Sequence, residues 1–193
     1  NLQRVLREVI EEVHVAGCPV RLLDIASGPG RYVLETVRDS SPIPTTVLLR
    51  DYKQENVDAA RRLAGKLGLN NVTVVQGDAF DRSSLAGIEP KPTIAIVSGL
   101  FELFPANEPV LAALGGLSDA LAPGGYLIYT NQPWHPQLEF IARVLTNREG
   151  KLWIMRRRTQ AEMDQLVRSA GFEKLRQEMD PWGIFSVSLA KRN

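Results

Sequence analysis

Cysteine and histidine are scarce: Cys18 stands alone and histidine occurs twice among 193 residues. One thiol closes no internal disulfide, and so few soft ligands give no metal-binding spacing, so no tightly held transition metal is expected. Net charge is nearly absent too, with 23 Lys and Arg against 22 Asp and Glu leaving +1. That balance creates no global field to draw the chain onto nucleic acid or an anionic membrane. A small-molecule or lipid-like partner is expected, and no nucleic acid. No apolar run approaches the roughly 20 residues that a membrane-spanning helix needs. These absences predict a soluble protein of a reducing compartment, the cytoplasm. An initiator Met and a secretory apolar segment are also missing from Asn1-Leu2-Gln3-Arg4. The expectation is either a portion of a longer protein or a chain with a remnant residue at its start.

What is present is a core-forming composition, 44% hydrophobic, enough for one domain over 1–193. Val5, Val9, Ile10 and Val13 recur at helical spacing and predict an amphipathic packing helix within 1–18, ending near Gly17. Short apolar runs at 21–25, 46–50, 72–76, 93–97 and 126–130 read as buried strands. Helical patterns fall between them at 31–38, 55–67, 83–86 and 108–121. Nearly all-apolar strands separated by helices imply a parallel sheet covered on both faces, a doubly wound α/β fold. The last third predicts a loop at 131–136, helical segments to about 170, and strands at 172–178 and 184–190. Asp180-Pro181-Trp182-Gly183 reads as a turn, and so short a link makes the last two strands an antiparallel hairpin.

Chemistry concentrates at the ends of the first three strands. Asp24-Ile25-Ala26-Ser27-Gly28-Pro29-Gly30 runs from an apolar strand into a glycine-rich turn and then a helix. Glycine lets the backbone turn sharply and approach a ligand, and the helix start offers free N–H groups. A tight turn without a ligand is the other reading of the same residues. Asp51 ends the second strand about 20 residues later, where a carboxylate can accept from both hydroxyls of a ribose, or cap the next helix. Asp78, in Gln76-Gly77-Asp78-Ala79-Phe80, can accept from an adenine amino group flanked by Ala79 and Phe80, or serve as a turn residue.

Taken together, these residues resemble the class I S-adenosylmethionine-dependent methyltransferases. Asp24 to Gly30 is similar to the first motif of that family, Asp51 to its ribose acid, and Gly77-Asp78-Ala79 to its adenine contact. Ala120-Leu121-Ala122-Pro123-Gly124-Gly125-Tyr126 resembles its turn into the fifth strand. The resemblance implies a seven-stranded, mostly parallel sheet closed by an antiparallel hairpin. It implies that S-adenosylmethionine is held by Asp24, Ala26, Ser27, Gly28, Gly30, Asp51, Tyr52, Asp78, Ala79, Phe80 and Ser98. Asp24 would sit beneath the loop and fix it, or reach the cofactor amino group through water. The strings at 96–100, 131–138 and 155–163 resemble more narrowly a bacterial methyltransferase group that also occurs joined to an α/β-hydrolase domain. A fused or associated hydrolase domain is therefore an implied partner.

Two departures stand out. Ala26 replaces the first glycine of the family's Gly-x-Gly-x-Gly and Pro29 takes its fourth place without disabling it, and the segment after the fourth strand, Ser98-Gly99-Leu100-Phe101-Glu102, lacks an amide-methylating Asn-Pro-Pro-Tyr. The second argues against methylation of DNA-base or glutamine amide nitrogens. His135 and Glu102 are the candidate general bases, with a backbone-bonded structural role as the other reading of His135. Trp134, Tyr129, Phe101 and Phe104 either line an apolar acceptor pocket or belong to the core. Arg156, Arg157 and Arg158 either meet an anion or form a solvated helix start. Two rival functions share the loop chemistry: an NAD-dependent oxidoreductase, whose Gly-x-Gly-x-x-Gly is broken by Val33, and a non-catalytic module of a larger chain.

Overall fold

The computed structural model describes residues 1–147 and 150–193. An opening helix α1 (Leu2–Val15) precedes β1 (Val20–Asp24), α2 (Arg31–Asp39), β2 (Thr45–Asp51), α3 (Gln54–Lys66) and β3 (Val72–Gln76). A short α4 (Arg82–Ala86), β4 (Ile94–Val97), a single 3₁₀ turn (Phe101–Leu103), α5 (Glu108–Ala120) and β5 (Tyr126–Asn131) follow. The chain then forms α6 (Leu138–Val144), α7 (Gln160–Ser169), β6 (Phe172–Met179) and β7 (Ser186–Arg192).

The seven strands lie in the order β3-β2-β1-β4-β5-β7-β6. β1 to β5 pair in parallel, while β7 runs antiparallel between β5 and β6. The expected α/β sheet with a terminal hairpin is therefore the observed one. Because successive strand residues face opposite sides, the sheet serves two cores. One side packs Leu22, Val47, Leu49, Ile94, Ile96 and Ile128 under α1, α2 and α3. The other packs Leu23, Ile25, Ala95, Val97, Leu127 and Tyr129 under α4, α5 and α7. Burial on both faces explains why the strands read as apolar runs.

The main departures from the sequence expectation lie in the last third of the chain. β7 begins at Ser186, because the Asp180 carboxylate accepts N–H bonds from Trp182, Ile184 and Phe185 and so holds the turn two residues longer. It continues to Arg192 through pairing of Lys191 with Tyr126 and of Arg192 with Phe172. The helical pattern expected through 137–170 divides into α6 and α7, with an isolated bridge Thr146–Leu152 and an extended stretch leading into α7. Among the described residues, no helix is long and apolar enough to cross a membrane.

Candidate functional site

The chain runs outward from β1 to β3 and then returns to place β4 on the other side of β1. At that reversal the loops after β1 and β4 diverge and leave a crevice at the carboxyl ends of the strands, where ligands of open α/β sheets bind. A cleft of about 290 Å³ lies there, lined by Ala26, Asp51, Tyr52, Asp78, Ala79 and Phe80, with Ile25, Lys53, Asn56, Leu100 and Phe104 completing it.

The glycine-rich loop is built for close approach. Gly28 and Gly30 adopt left-handed φ angles of 56° and 68°, a region that favours glycine. A Cβ on Gly30 would stand 2.5 Å from Leu49 Cδ1, so this residue also brings α2 onto β2. Above Gly28 nothing lies within 4 Å of that position, which leaves the backbone open to a ligand. The buried Ser27 ties the loop to β2 through its N–H to the Arg50 carbonyl, 3.0 Å.

Asp51 couples the first two strand ends. Its Oδ2 accepts from Gly28 N at 2.8 Å, and its Oδ1 accepts from Lys53 N and Asn56 Nδ2, each at 2.9 Å. Asp78 accepts from Phe80 N at 2.9 Å, which folds the β3 exit so that Ala79 and Phe80 face the cleft. Phe80 meets Phe104 edge-on, with ring centroids 4.6 Å apart. Beneath the loop, the fully buried Asp24 accepts from Ala26 N at 3.2 Å and from the Tyr32 hydroxyl. Burial is the larger influence and pushes its carboxyl up to about 7; the two donors oppose the shift, and Asp51 adds to it.

The predicted residues are only partly brought together. Ser98 is half-buried at the end of β4, outside the cleft lining, while its neighbour Gly99 donates N–H to Thr130 Oγ1 at 2.9 Å. Glu102 is buried in the 3₁₀ turn, where desolvation raises its carboxyl and Oε2 has no hydrogen-bond partner among the described residues. His135 lies apart from the cleft, in a second pocket with Trp134, and its Nδ1 accepts from Gln137 N at 3.1 Å. Asn56 and Tyr32 escaped the sequence reading. Each sits in the first turns of a helix after a recognised acid, and that spacing was the available signal.

Arg158 is the largest fully buried side chain among the described residues. Its guanidinium donates to the carbonyls of Phe101, Phe104 and Ala106 and to Asn107 Oδ1, at 2.7 to 2.9 Å. It therefore ties the extended stretch before α7 to the loop after β4, and the three consecutive arginines do not act as one patch.

Residues 1–192 match a family described as "Putative methyltransferase". The chain belongs to this family. Another similar protein, YnbC of Escherichia coli K12, described as uncharacterized, is 50% identical over 194 residues, which cover 100% of this chain and 33% of YnbC. The chain thus spans about a third of the length of that curated relative. A Bordetella parapertussis structure described as a possible exported protein superposes with a TM-score of 0.77 at 23% identity, covering 98% of this chain and 65% of that one. The magnesium protoporphyrin IX methyltransferase of Synechocystis PCC 6803, solved with bound SAH, superposes at 0.73 with 17% identity, covering 99% and 83%. At these identities the likeness to the solved structures is one of fold, a Rossmann-like methyltransferase sheet. Family and fold agree with the resemblance carried by the strand-end motifs.

Proposed function

We propose that this family member is a class I methyltransferase that binds S-adenosylmethionine in the cleft over the β1–α2 loop and methylates a small-molecule or lipid-like acceptor. The observation that carries the reading is the convergence of Ala26, Asp51, Asp78, Ala79 and Phe80 on one cleft at the topological switch point. Bound there, S-adenosylmethionine supplies a methyl group on a positively charged sulfonium.

The chain's own residues divide the work of holding it. Asp51 is already fixed by three donors, two on Oδ1 and one on Oδ2, and offers the site left on Oδ2 to a ribose hydroxyl. Asp78 accepts from the adenine amino group, with Ala79 and Phe80 against the ring. Ala26, Ser27, Gly28 and Gly30 cradle the methionine portion, helped by the first turn of α2, which has no side-chain cap. Asp24 holds the loop from below and balances positive charge. Tyr52 borders the ribose, whereas Ser98 does not line the cleft. His135 or Glu102 takes the acceptor proton, and much of the rate comes from positioning the acceptor against the methyl group.

Asp51→Ala tests the assignment. Loss of charge-assisted hydrogen bonds costs roughly 1.5 to 3 kcal/mol, so affinity for S-adenosylmethionine should fall by more than about tenfold in calorimetry. An unchanged affinity would remove Asp51 from the ribose site.

A further inference from the structure

A second pocket, of about 500 Å³, opens between the β5–α6 loop, α6 and the extended stretch before α7. Its walls are largely apolar, with Trp134, Pro136, Leu138, Ala142, Ile154 and Met155 contributing. α6 buries none of its residues, and Trp134 and Ile154 remain 46% and 62% exposed. Concave apolar surface of this kind favours an apolar occupant.

The charges at the pocket add a sign. Glu139 is paired with Arg143 at 2.7 Å, and His135 Nδ1 is engaged by the Gln137 N–H. Arg156 is committed to Glu162 and Pro105, and Arg158 to the loop after β4. Arg157, which lines the pocket, is exposed and has no ion pair or hydrogen bond among the described residues. An unpaired guanidinium beside apolar walls complements a carboxylate or phosphate.

The pocket and the cleft have no lining residue in common, but a backbone hydrogen bond joins the segments that line them. Leu100 and Phe104 face the cleft from the loop after β4, and the Glu102 carbonyl of that same loop accepts from Arg156 N at 3.0 Å. The residues on either side of Arg156, Met155 and Arg157, line the second pocket.

We infer that this pocket is the acceptor site and that it selects an amphipathic anion, an apolar body bearing one carboxylate or phosphate held by Arg157. The inference rests on the methyltransferase reading for its role and on the pocket alone for its ligand.

Octanoate, octyl phosphate and 1-octanol, titrated below their aggregation limits, test it with Met155 as a local reporter. In protein labelled at the methionine methyls, octanoate or octyl phosphate should shift the Met155 resonance saturably and leave the buried Met163 in place. The neutral alcohol should bind about tenfold more weakly, and Arg157→Gln should abolish the difference. The stronger of the two anions identifies the headgroup. Saturating S-adenosylhomocysteine should not displace the octyl probe. Equal affinity for acid and alcohol, an Arg157→Gln variant that still discriminates, or displacement by S-adenosylhomocysteine would each overturn the inference. S-adenosylmethionine binding is measured on the same samples. If it is retained while the anions fail, only the acceptor inference falls; if it is absent while the anions bind, the methyltransferase reading falls and takes the acceptor role with it.

Discussion

Asp24 is a buried carboxyl whose neighbours are a phenol, an amide and a second acid, with no cation among its hydrogen-bond partners. Its pKa of about 7 lies above the ordinary value of 3.8, so the folded chain holds that proton more tightly than the unfolded chain does. The stabilisation is therefore complete below about pH 4 and is lost as pH rises to about 7. A cationic ligand over the loop favours the carboxylate, so its binding should release a proton. Affinity for S-adenosylmethionine should accordingly rise between about pH 5.5 and 7.5, then level off. Calorimetry in buffers of different ionisation enthalpy would detect the proton directly, and pH-independent binding without proton release would contradict the role. Tyr32→Phe removes a donor that favours the carboxylate, so the rise should move to higher pH. Asp24, Asp51 and Asp78 were legible in the sequence because each acid follows an apolar strand. Tyr32 and Asn56 were not, because their roles depend on how a helix start lies over a neighbouring strand end.

The elements carry the site through their connections. Gly28 and Gly30 share a backbone conformation but differ in surroundings, since only Gly30 has Leu49 against the place of its missing Cβ. Gly30→Ala combines backbone strain with overlap and should cost about 1–3 kcal/mol or more, while Gly28→Ala should cost about 1 kcal/mol. Thermal unfolding of the two variants compares them, and an equal loss would show that Leu49 gives way freely. The β1–α2 connection was readable because strand, turn and helix signals abut within a few residues. The stretch before α7 was not. Arg156 and Arg158 look like a solvated helix start, and only tertiary hydrogen bonds to the loop after β4 reveal why the backbone there is extended. A charged residue drawn fully into the interior leaves no trace in a hydrophobic pattern.

At the scale of the molecule, the sheet separates stability from the ligand cleft. α1 contributes Val5, Leu6, Val9, Ile10 and Val13 to the core on one face, while the cleft lies at the carboxyl edge of the strands. Leu6→Ala should cost about 2–5 kcal/mol in chemical denaturation yet leave cofactor affinity of the folded fraction unchanged. A parallel loss of affinity would mean that α1 shapes the cleft. Alternating apolar and amphipathic segments made the whole fold readable, and three strand-end motifs made its likeness to methyltransferases readable. Beyond Trp134, which the sequence offered for an apolar pocket, the second pocket was not, because its walls come from a loop, a short exposed helix and an extended stretch that share no periodicity. The most direct measurement is calorimetric titration of the chain with S-adenosylmethionine, S-adenosylhomocysteine and NAD in parallel. Saturable binding of both adenosyl ligands with none of NAD is the expected result, and silence toward both adenosyl ligands would contradict the account.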